Sequence, residues 1–221
     1  MKNWLLLSLF VSGISMSIAK PNFVSLEEYC PGIIIHANYA TEDNFTGAVV
    51  PGYKAIKALT ALKTADALCR VHVKASKKGY AIKIFDAYRP VKAVKHFENW
   101  AKLPENNPEV KAKYYPTFKR ADLFIEGYIA KKSSHSRGSA LDLTIFDLEK
   151  NADVDMGGIF DFFHVISSTE SNLITKAQQQ NRFILRDLME SEGFKNFSGE
   201  WWHYSLKPEQ YPDEYFDFDV E

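Results

Sequence analysis

The sequence predicts a single domain of the α+β class, with a central, mostly antiparallel sheet flanked by helices. The chain has 221 residues, of which 46% are hydrophobic, and this is enough for one domain with a substantial core. Segments with helical spacing of apolar residues are mixed with short β-branched or alternating segments, without a regular alternation of the two. This order favours the α+β class over a doubly wound parallel sheet.

Four segments are typical of β-strands because they are short and rich in apolar or alternating residues. They are residues 33–35, 80–85, 140–146 and 201–206. In the third segment, apolar Leu141, Leu143 and Ile145 alternate with smaller or polar residues. A strand with one buried face gives this pattern, so Asp142 is expected on the opposite, less buried face.

Four other segments have the apolar spacing of helices. They are residues 53–78, 91–102, 121–131 and 172–192. Gly79 and Gly193 follow the first and the last of these segments and predict their C-terminal ends. Pro90 directly precedes the segment 91–102 and predicts its start, because proline is favoured at the beginning of helices. Residues 106–108 (Asn-Asn-Pro) predict a loop.

The charge balance argues against a polyanionic partner. The chain has 27 basic and 28 acidic residues, which gives a net charge of −1. The sequence has no basic stripe suited to nucleic acid or to an anionic membrane surface. We therefore expect no nucleic-acid partner.

Residues 1–19 resemble a secretory signal peptide. Lys2 supplies a positive charge, residues 4–11 are apolar apart from one serine, and residues 17–19 form a small-residue cleavage pattern. The apolar run is too short to span a bilayer comfortably. We predict cleavage after this pattern, export to the periplasm or the extracellular space, no stable membrane insertion, and a mature domain over residues 20–221. The alternative is a retained N-terminal anchor.

The two cysteines, Cys30 and Cys69, leave a choice open. They could pair in an oxidising compartment. Cys69 lies among apolar residues of a predicted helix, so a buried free thiol is an equal alternative. Their spacing is not that of a metal-binding pair.

Two short segments carry the candidate chemistry. One contains His135 and Asp142, with Gly138 between them where the chain can turn, and the other contains Glu200 and His203. A catalytic zinc site needs three nitrogen or oxygen ligands, an open position and a nearby base. His135, Asp142 and His203 are therefore candidate ligands of one Zn²⁺ ion on the sheet, and Glu200 is the candidate base.

The spacing of the second segment sets a condition on this hypothesis. Glu200 and His203 are three residues apart, and residues three apart on a regular strand face opposite sides. They share a site only if Glu200 lies before the strand or beside a bulge. Taken singly, such residues are usually surface or hydrogen-bonded groups, but their combination favours a site.

Arg89 follows the predicted strand 80–85, where functional residues often lie. Its guanidinium could stabilise negative charge on a scissile carbonyl oxygen. A structural ion pair with Asp86 is an equal alternative.

At these residues the chain resembles the D-alanyl-D-alanine dipeptidases of the vancomycin-resistance type. They belong to a zinc peptidase group that includes D,D-carboxypeptidases and the hedgehog signalling domain. The group's Ser-x-His-x-x-Gly-x-Ala-x-Asp pattern is matched by residues 133–142, and its Glu-x-x-His pattern by residues 200–203. The likeness covers nearly the whole chain after residue 19, with further matches at residues 39–41, 43–47, 88–90, 104–107, 156–157, 160–161 and 215–218.

The resemblance implies a role for each candidate residue. His135, Asp142 and His203 bind zinc, Glu200 is the general base and acid, and Arg89 polarises the scissile carbonyl. Asp161 is implied to bind the free ammonium of the substrate. Tyr39 and Ser133 are implied to line the pocket, although both also have a structural interpretation.

The expected function is zinc-dependent hydrolysis of the D-Ala-D-Ala dipeptide, a small substrate, to free D-alanine. The best-known enzymes of this type act inside the cell, so the leader peptide instead suggests turnover of wall dipeptides outside the cytoplasm. One alternative is a D,D-carboxypeptidase or endopeptidase that acts on longer wall peptides. Another is a non-catalytic zinc-binding module, against which Glu200 and Arg89 argue. The oligomeric state is left open.

Overall fold

The structure is a computed structural model, and it describes residues 21–221. A mixed β-sheet forms the centre of this part of the chain. The strands of these residues are β1 (Phe23–Ser25), β2 (Ile34–Ile35), β3 (Leu59–Ala61), β4 (Tyr80–Asp86), β5 (Ala140–Asp147), β6 (Ala152–Asp153), β7 (Phe194–Asn196) and β8 (His203–Leu206). The main sheet has the order β2-β4-β5-β8-β7, and β6 also pairs with β5. β2 is parallel to β4, whereas the other pairs are antiparallel, and β1 and β3 form a separate antiparallel pair. The predicted signal peptide over residues 1–19 lies outside the described residues.

The helices of residues 21–221 flank this sheet. They are α1 (Leu26–Tyr29), α2 (Leu62–Ser76), α3 (Val91–Trp100), α4 (Pro108–Tyr114), α5 (Asp122–Ile125) and α6 (Lys176–Glu190). The two longest, α2 and α6, contact each other and pack against β4 and β7 respectively. Their apolar stripes, which include Leu68, Val71, Leu185 and Leu188, are buried, so this pair covers one face of the sheet. None of the helices in the described residues is long and apolar enough to cross a membrane.

The predicted α+β class is confirmed, in the form of one domain with a mixed sheet and flanking helices. The strands expected over 80–85 and 140–146 are confirmed as β4 and β5. The helices expected over 91–102 and 172–192 are confirmed as the shorter α3 and α6. α6 begins at a capping box. The side chain of Thr175 accepts a hydrogen bond from the backbone N–H of Gln178. In return, the side chain of Gln178 accepts a hydrogen bond from the backbone N–H of Thr175.

The first predicted helix, over residues 53–78, is wrong at its N-terminal end. α2 begins at Leu62 because Leu59–Ala61 is strand β3 and pairs with β1. Ile56 extended the helical spacing in the sequence, but this residue is 58% exposed and belongs to no helix. A periodic pattern therefore continued by chance across a strand.

Two further expectations are corrected by backbone chemistry. The helix expected over residues 121–131 is reduced to α5, because Gly127 has a φ of +80° and the chain turns there. The loop expected over residues 106–108 is confirmed for residues 106–107, but Pro108 already begins α4. The side chain of Asn107 accepts a hydrogen bond from the backbone N–H of Val110, and Pro108 occupies the first helical turn.

β5 is buried on both faces, so the expectation of a half-buried strand is wrong. Leu141, Leu143 and Ile145 are fully buried, and Asp142 and Thr144 on the other face are also buried. The alternation correctly separated the two faces. It could not show that loops and aromatic side chains from elsewhere in the chain cover the second face.

Cys30 and Cys69 are both free thiols, the first buried and the second half-buried. Burial raises the pKa of Cys69 to about 12. This thiol is therefore protonated at neutral pH, which makes it a poor nucleophile.

Candidate active site

Three neighbouring strands bring three polar residues into one row across the sheet. Asp142 on β5 lies opposite Asp86 on β4 and opposite His203 on β8. Residues directly opposite each other have their side chains on the same face of the sheet. The register of the strands therefore sets these three residues side by side.

His135 reaches the same row from a short 3-10 helix, Ser134–Arg137, which directly precedes β5. Ser133 caps this helix, since its Oγ accepts a hydrogen bond from the N–H of His135 at 3.2 Å. Gly138 ends it with a φ of +67°, and a Cβ there would lie 2.5 Å from the ring of Phe23. Only glycine meets both conditions.

His135, Asp142 and His203 form a compact cluster of possible metal ligands. The Nε2 atom of His135 lies 3.2 Å from Nδ1 of His203 and 3.2 Å from Oδ2 of Asp142. The Nδ1 atom of His203 lies 2.9 Å from Oδ1 of Asp142. The structure thus brings together the three residues that the sequence predicted as ligands.

The cluster fits a tetrahedral metal ion such as Zn²⁺. His135 donates its Nδ1–H to the carbonyl oxygen of Ala87 at 2.6 Å, which leaves a lone pair on Nε2. Ligand atoms about 2.0–2.2 Å from a tetrahedral zinc lie about 3.3–3.5 Å from one another. The observed distances of 2.9 to 3.2 Å are close to these values. A cation between the three atoms also explains why their lone pairs converge.

Arg89 forms the ion pair with Asp86 that the sequence left as one alternative, and its position in the cleft is compatible with the other. Its Nε donates to Oδ2 of Asp86 at 2.8 Å, and its Nη2 donates to Oδ2 of Asp142 at 3.1 Å. It also lines the cleft and lies over the rings of Tyr39 and Phe97, 5.1 and 5.5 Å from their centroids. The ion pairs hold a charged guanidinium at the edge of the ligand cluster.

Glu200 lies in the turn before β8, which satisfies the condition set by the sequence spacing. Its Oε2 is 4.0 Å from Nδ1 of His203, too far to be a hydrogen bond. The carboxylate is therefore close to the ligand cluster without being part of it. Such a position suits a group that transfers protons beside a metal.

Asp161 and Tyr39 form the other end of the site. The hydroxyl of Tyr39 donates a hydrogen bond to Oδ2 of Asp161 at 2.7 Å, and both residues are buried. Asp161 has a φ of +57°, a left-handed conformation that costs energy in a residue other than glycine. Such strain is often kept where a side chain must point in one direction for function.

Burial and neighbouring charges shift the pKa values of the carboxylic acids in opposite directions. Burial, reinforced by Asp142 and Asp161, raises the pKa of Glu200 well above its ordinary value. Burial and Asp142 do the same to the pKa of Asp161. Burial also acts on Asp142, but His135 and His203 overcome it and lower the pKa of Asp142 below its ordinary value. A bound divalent cation would favour the charged form of all three.

One cleft of about 300 Å³ contains every site residue predicted from the sequence. These residues are Tyr39, Arg89, Ser133, His135, Asp142, Asp161, Glu200 and His203. Aromatic side chains form its walls, among them Phe45, Phe97, Phe163 and Trp202. This volume is at the lower end for ligand pockets, so the cleft suits a small molecule.

Two supporting residues hold Arg89 in place: Asp86, which the sequence indicated only as a possible ion-pair partner, and Tyr53, which it did not indicate. The hydroxyl of Tyr53 donates to Oδ1 of Asp86 at 2.6 Å, and Oδ2 of Asp86 holds Arg89. The position of Asp86 opposite Asp142 depends on strand pairing, and Tyr53 is distant in sequence from both segments that carry the candidate metal ligands.

Comparison with known proteins finds similarity over nearly the whole chain. The family model described as D-Ala-D-Ala dipeptidase (Peptidase M15) matches residues 19–221. A D-alanyl-D-alanine dipeptidase of Enterococcus faecium is 44% identical over 198 residues, which are 90% of this chain and 98% of that protein. One of Streptomyces coelicolor is 40% identical, with 90% and 98% covered, and one of Escherichia coli is 32% identical, with 83% of each chain covered. The chain therefore belongs to the M15 peptidase family and is a metallopeptidase.

Proposed function

We propose that this protein is a zinc-dependent dipeptidase that hydrolyses D-Ala-D-Ala to two molecules of D-alanine. One observation carries the proposal: a single small cleft holds the His135, Asp142 and His203 cluster at one end and the buried carboxyl group of Asp161 at the other. The three relatives compared above carry the name D-alanyl-D-alanine dipeptidase, which supports this substrate.

The residues of the cleft divide the reaction between them. Bound zinc would supply Lewis-acid chemistry at the scissile carbonyl and lower the pKa of a water molecule. Glu200 accepts a proton from the attacking water and later gives a proton to the leaving amine. Arg89 stabilises the negative charge that develops on the carbonyl oxygen, using Nη1, since the carboxylates of Asp86 and Asp142 occupy Nε and Nη2.

The far end of the cleft provides the proposed specificity. The carboxylate of Asp161, held by the hydroxyl of Tyr39, binds the free ammonium group of the dipeptide. An acylated amine carries no positive charge and requires more space at this buried end. The enzyme is therefore expected to reject peptides that are extended at the N-terminus, including those attached to the cell wall.

The deciding experiment compares three substrates under the same conditions. Purified protein with zinc is assayed for D-alanine release from D-Ala-D-Ala, from N-acetyl-D-Ala-D-Ala and from a wall pentapeptide that ends in D-Ala-D-Ala. We expect the free dipeptide to have much the highest kcat/KM. A preference for the pentapeptide would identify a D,D-carboxypeptidase instead, and zinc binding without any hydrolysis would identify a binding module.

The proposed location is outside the cytoplasm, and it rests on the leader-like sequence over residues 1–19. Fractionation of cells that express the full chain, with N-terminal sequencing of the recovered protein, tests it. We expect exported protein that begins at Lys20. Full-length protein in the cytoplasm would contradict the proposal without affecting the assigned reaction.

A further inference from the structure

Asp161 lies near the middle of a loop between β6 and α6. We call residues 156–168 the Asp161 loop; they contain one short 3-10 helix, Val165–Ser167, and belong to none of the strands in residues 21–221. The left-handed backbone of Asp161, with a φ of +57°, persists only if the surrounding structure holds the chain in place. The support of this loop therefore matters for the position of the Asp161 carboxylate.

A single arginine of α6 binds both ends of the Asp161 loop. The Nε atom of Arg182 donates to the carbonyl oxygen of Met156 at 2.7 Å. Its Nη1 atom donates to the carbonyl oxygens of Ile166 at 2.8 Å and Ser168 at 2.7 Å. Asp161 lies midway between Met156 and Ile166 in the sequence. The guanidinium therefore closes the loop at its base, as in compact loops whose two ends lie close together.

The burial of Arg182 is unusual for an arginine. The residue is 0% exposed, and its hydrogen bonds within residues 21–221 all go to backbone carbonyl oxygens and none to a carboxylate. Buried charges are costly and are normally paired with an opposite charge. Burial lowers the pKa of Arg182 to about 10, so the guanidinium remains charged at neutral pH. Its hydrogen bonds to the Asp161 loop are the interactions that offset the cost of this buried charge.

Neighbouring side chains of α6 hold only the first end of the loop. The Nδ2 atom of Asn181 donates to the carbonyl oxygen of Asp155 at 2.8 Å, and the Nε2 atom of Gln178 donates to Oδ2 of Asp155 at 2.9 Å. Asp155 directly precedes Met156. Of these three side chains of α6, Arg182 is the one that joins the first end of the loop to the second.

The turn that carries Glu200 has its own support. It contacts the Asp161 loop through a hydrogen bond from the backbone N–H of Trp201 to the carbonyl oxygen of Ser167 at 3.0 Å. The N–H of Glu200 donates to the carbonyl oxygen of Phe197 at 3.0 Å, and the side chain of Asn196 donates to the carbonyl oxygen of Glu200 at 3.1 Å. These two bonds lie within the β7–β8 hairpin. Loosening of the Asp161 loop is therefore expected to leave zinc binding and proton transfer in place.

We propose that Arg182 is a positioning residue, which sets the place of Asp161 and thereby the affinity of the enzyme for the ammonium group of its substrate. This inference rests on the proposed function, in which Asp161 binds that group. Arg182 is not among the residues that line the cleft, so it acts through the Asp161 loop.

Hydrogen exchange tests this support without any substrate. The reporter is the backbone amide of Phe163, which lies within the loop and donates to the carbonyl oxygen of Tyr114 at 2.7 Å. Arg182→Lys keeps a positive charge but lacks the planar fork that reaches several carbonyls. We expect the Phe163 amide to exchange about tenfold faster relative to the amides of β5, the equivalent of one lost hydrogen bond to a charged group. An unchanged ratio would overturn the proposal, because Arg182 would then support the whole domain equally.

Steady-state kinetics test the consequence for the reaction. In Arg182→Lys, kcat/KM for D-Ala-D-Ala should fall by up to about 10²-fold, the effect of a misplaced binding group, mainly through KM and with bound zinc unchanged. In an Asp161→Asn background the same substitution should have almost no further effect, because Arg182 acts through Asp161. Additive losses, or a loss confined to kcat, would overturn the proposal. The matched control is Arg186→Lys, on the next turn of α6, where Nη1 pairs with Glu170 at 3.0 Å; it should behave as the wild type.

Asn181→Ala covers the case in which Arg182→Lys does not fold. It removes one hydrogen bond at the first end of the loop and should change the Phe163 exchange ratio and KM in the same direction, by a smaller factor. No change in either quantity would overturn the positioning role of α6. A wild-type protein that fails to hydrolyse D-Ala-D-Ala would contradict the proposed function alone, because the exchange result does not depend on a substrate.

Discussion

The two ends of the active-site cleft are built on different kinds of scaffold. At one end, Asp142 and His203 sit opposite each other on paired strands, and His135 is held by a 3-10 helix that leads directly into β5. At the other end, Asp161 has a left-handed backbone conformation in a loop, and Tyr39 lies in a short 3-10 helix. The first end is fixed by sheet register and the second by local backbone strain and one hydrogen bond.

This difference separates two requirements of the proposed enzyme. Metal ligands must be placed within a few tenths of an ångström, and the register of a buried sheet provides that accuracy. Recognition of a substrate group tolerates more variation, so it can be carried by a loop. We call the end that holds His135, Asp142 and His203 the sheet end, and the end that holds Tyr39 and Asp161 the loop end. Changes at the sheet end are expected to affect the rate of the reaction. Changes at the loop end are expected to affect which substrate is hydrolysed.

The largest expected effect comes from the sheet end. His203→Ala, or removal of the metal with a chelator, should abolish D-alanine release because the three-ligand cluster no longer holds zinc. Elemental analysis of bound zinc and a D-alanine assay check this. Added zinc should restore the chelated wild type but not the variant, and full activity in metal-free protein would contradict the assignment.

Glu200→Gln should lower kcat by about 10²- to 10⁴-fold, the usual contribution of a positioned general base. Bound zinc should be unchanged, because Glu200 lies outside the ligand cluster. The comparison variant is Glu190→Gln, at an exposed position at the end of α6, which should behave as the wild type. A near-normal kcat for Glu200→Gln would disprove its role as the base.

At the loop end, Asp161→Asn should raise KM more than it lowers kcat. Removing one partner of a buried charge pair costs about 2–5 kcal/mol, so kcat/KM should fall by about 30-fold or more. The fall should be much smaller for N-acetyl-D-Ala-D-Ala, which has no ammonium group to lose. Equal losses for both substrates would show that Asp161 does not bind the ammonium group.

The smallest expected effect concerns the support of the sheet end. Glu209 accepts hydrogen bonds from Arg137, in the 3-10 helix that carries His135, and from Ser139 at 2.7 Å. Burial raises the pKa of Glu209, but the hydrogen bonds from Arg137, Lys207 and Ser139 lower it to about 2. A lowered carboxyl pKa stabilises the folded state above the ordinary pKa of about 4.3, and this stabilisation is lost as the pH falls towards 2.

The variant Glu209→Gln measures this contribution. Its free energy of unfolding at neutral pH should be about 1–3 kcal/mol lower than that of the wild type. Denaturant unfolding at several pH values should show the difference shrinking between about pH 4.3 and 2. A difference that does not change with pH would mean that the charge of Glu209 is not the cause.

Local pattern was enough to predict much of this protein, and the failures have identifiable physical causes. The candidate ligand residues, the condition on the position of Glu200 and the two faces of β5 were predicted from residue type, spacing and alternation, which act over a few residues. Tyr53 could not be identified in this way, and Asp86 only as a partner of Arg89, since tertiary packing and strand pairing bring these residues to the site. The false start of α2 has a similar cause, because β3 forms only by pairing with β1.

The cross-strand row of Asp86, Asp142 and His203 limits how this site could be transferred to another protein. A designer who copied only the two short motifs into a new scaffold would reproduce the residue types without their separations. What must be transplanted is the alignment of three strands, including the register shift between Ile84 and Asp86 that sets Asp86 opposite Asp142. A slip of one residue along β8 would turn His203 to the opposite face of the sheet and remove it from the cluster.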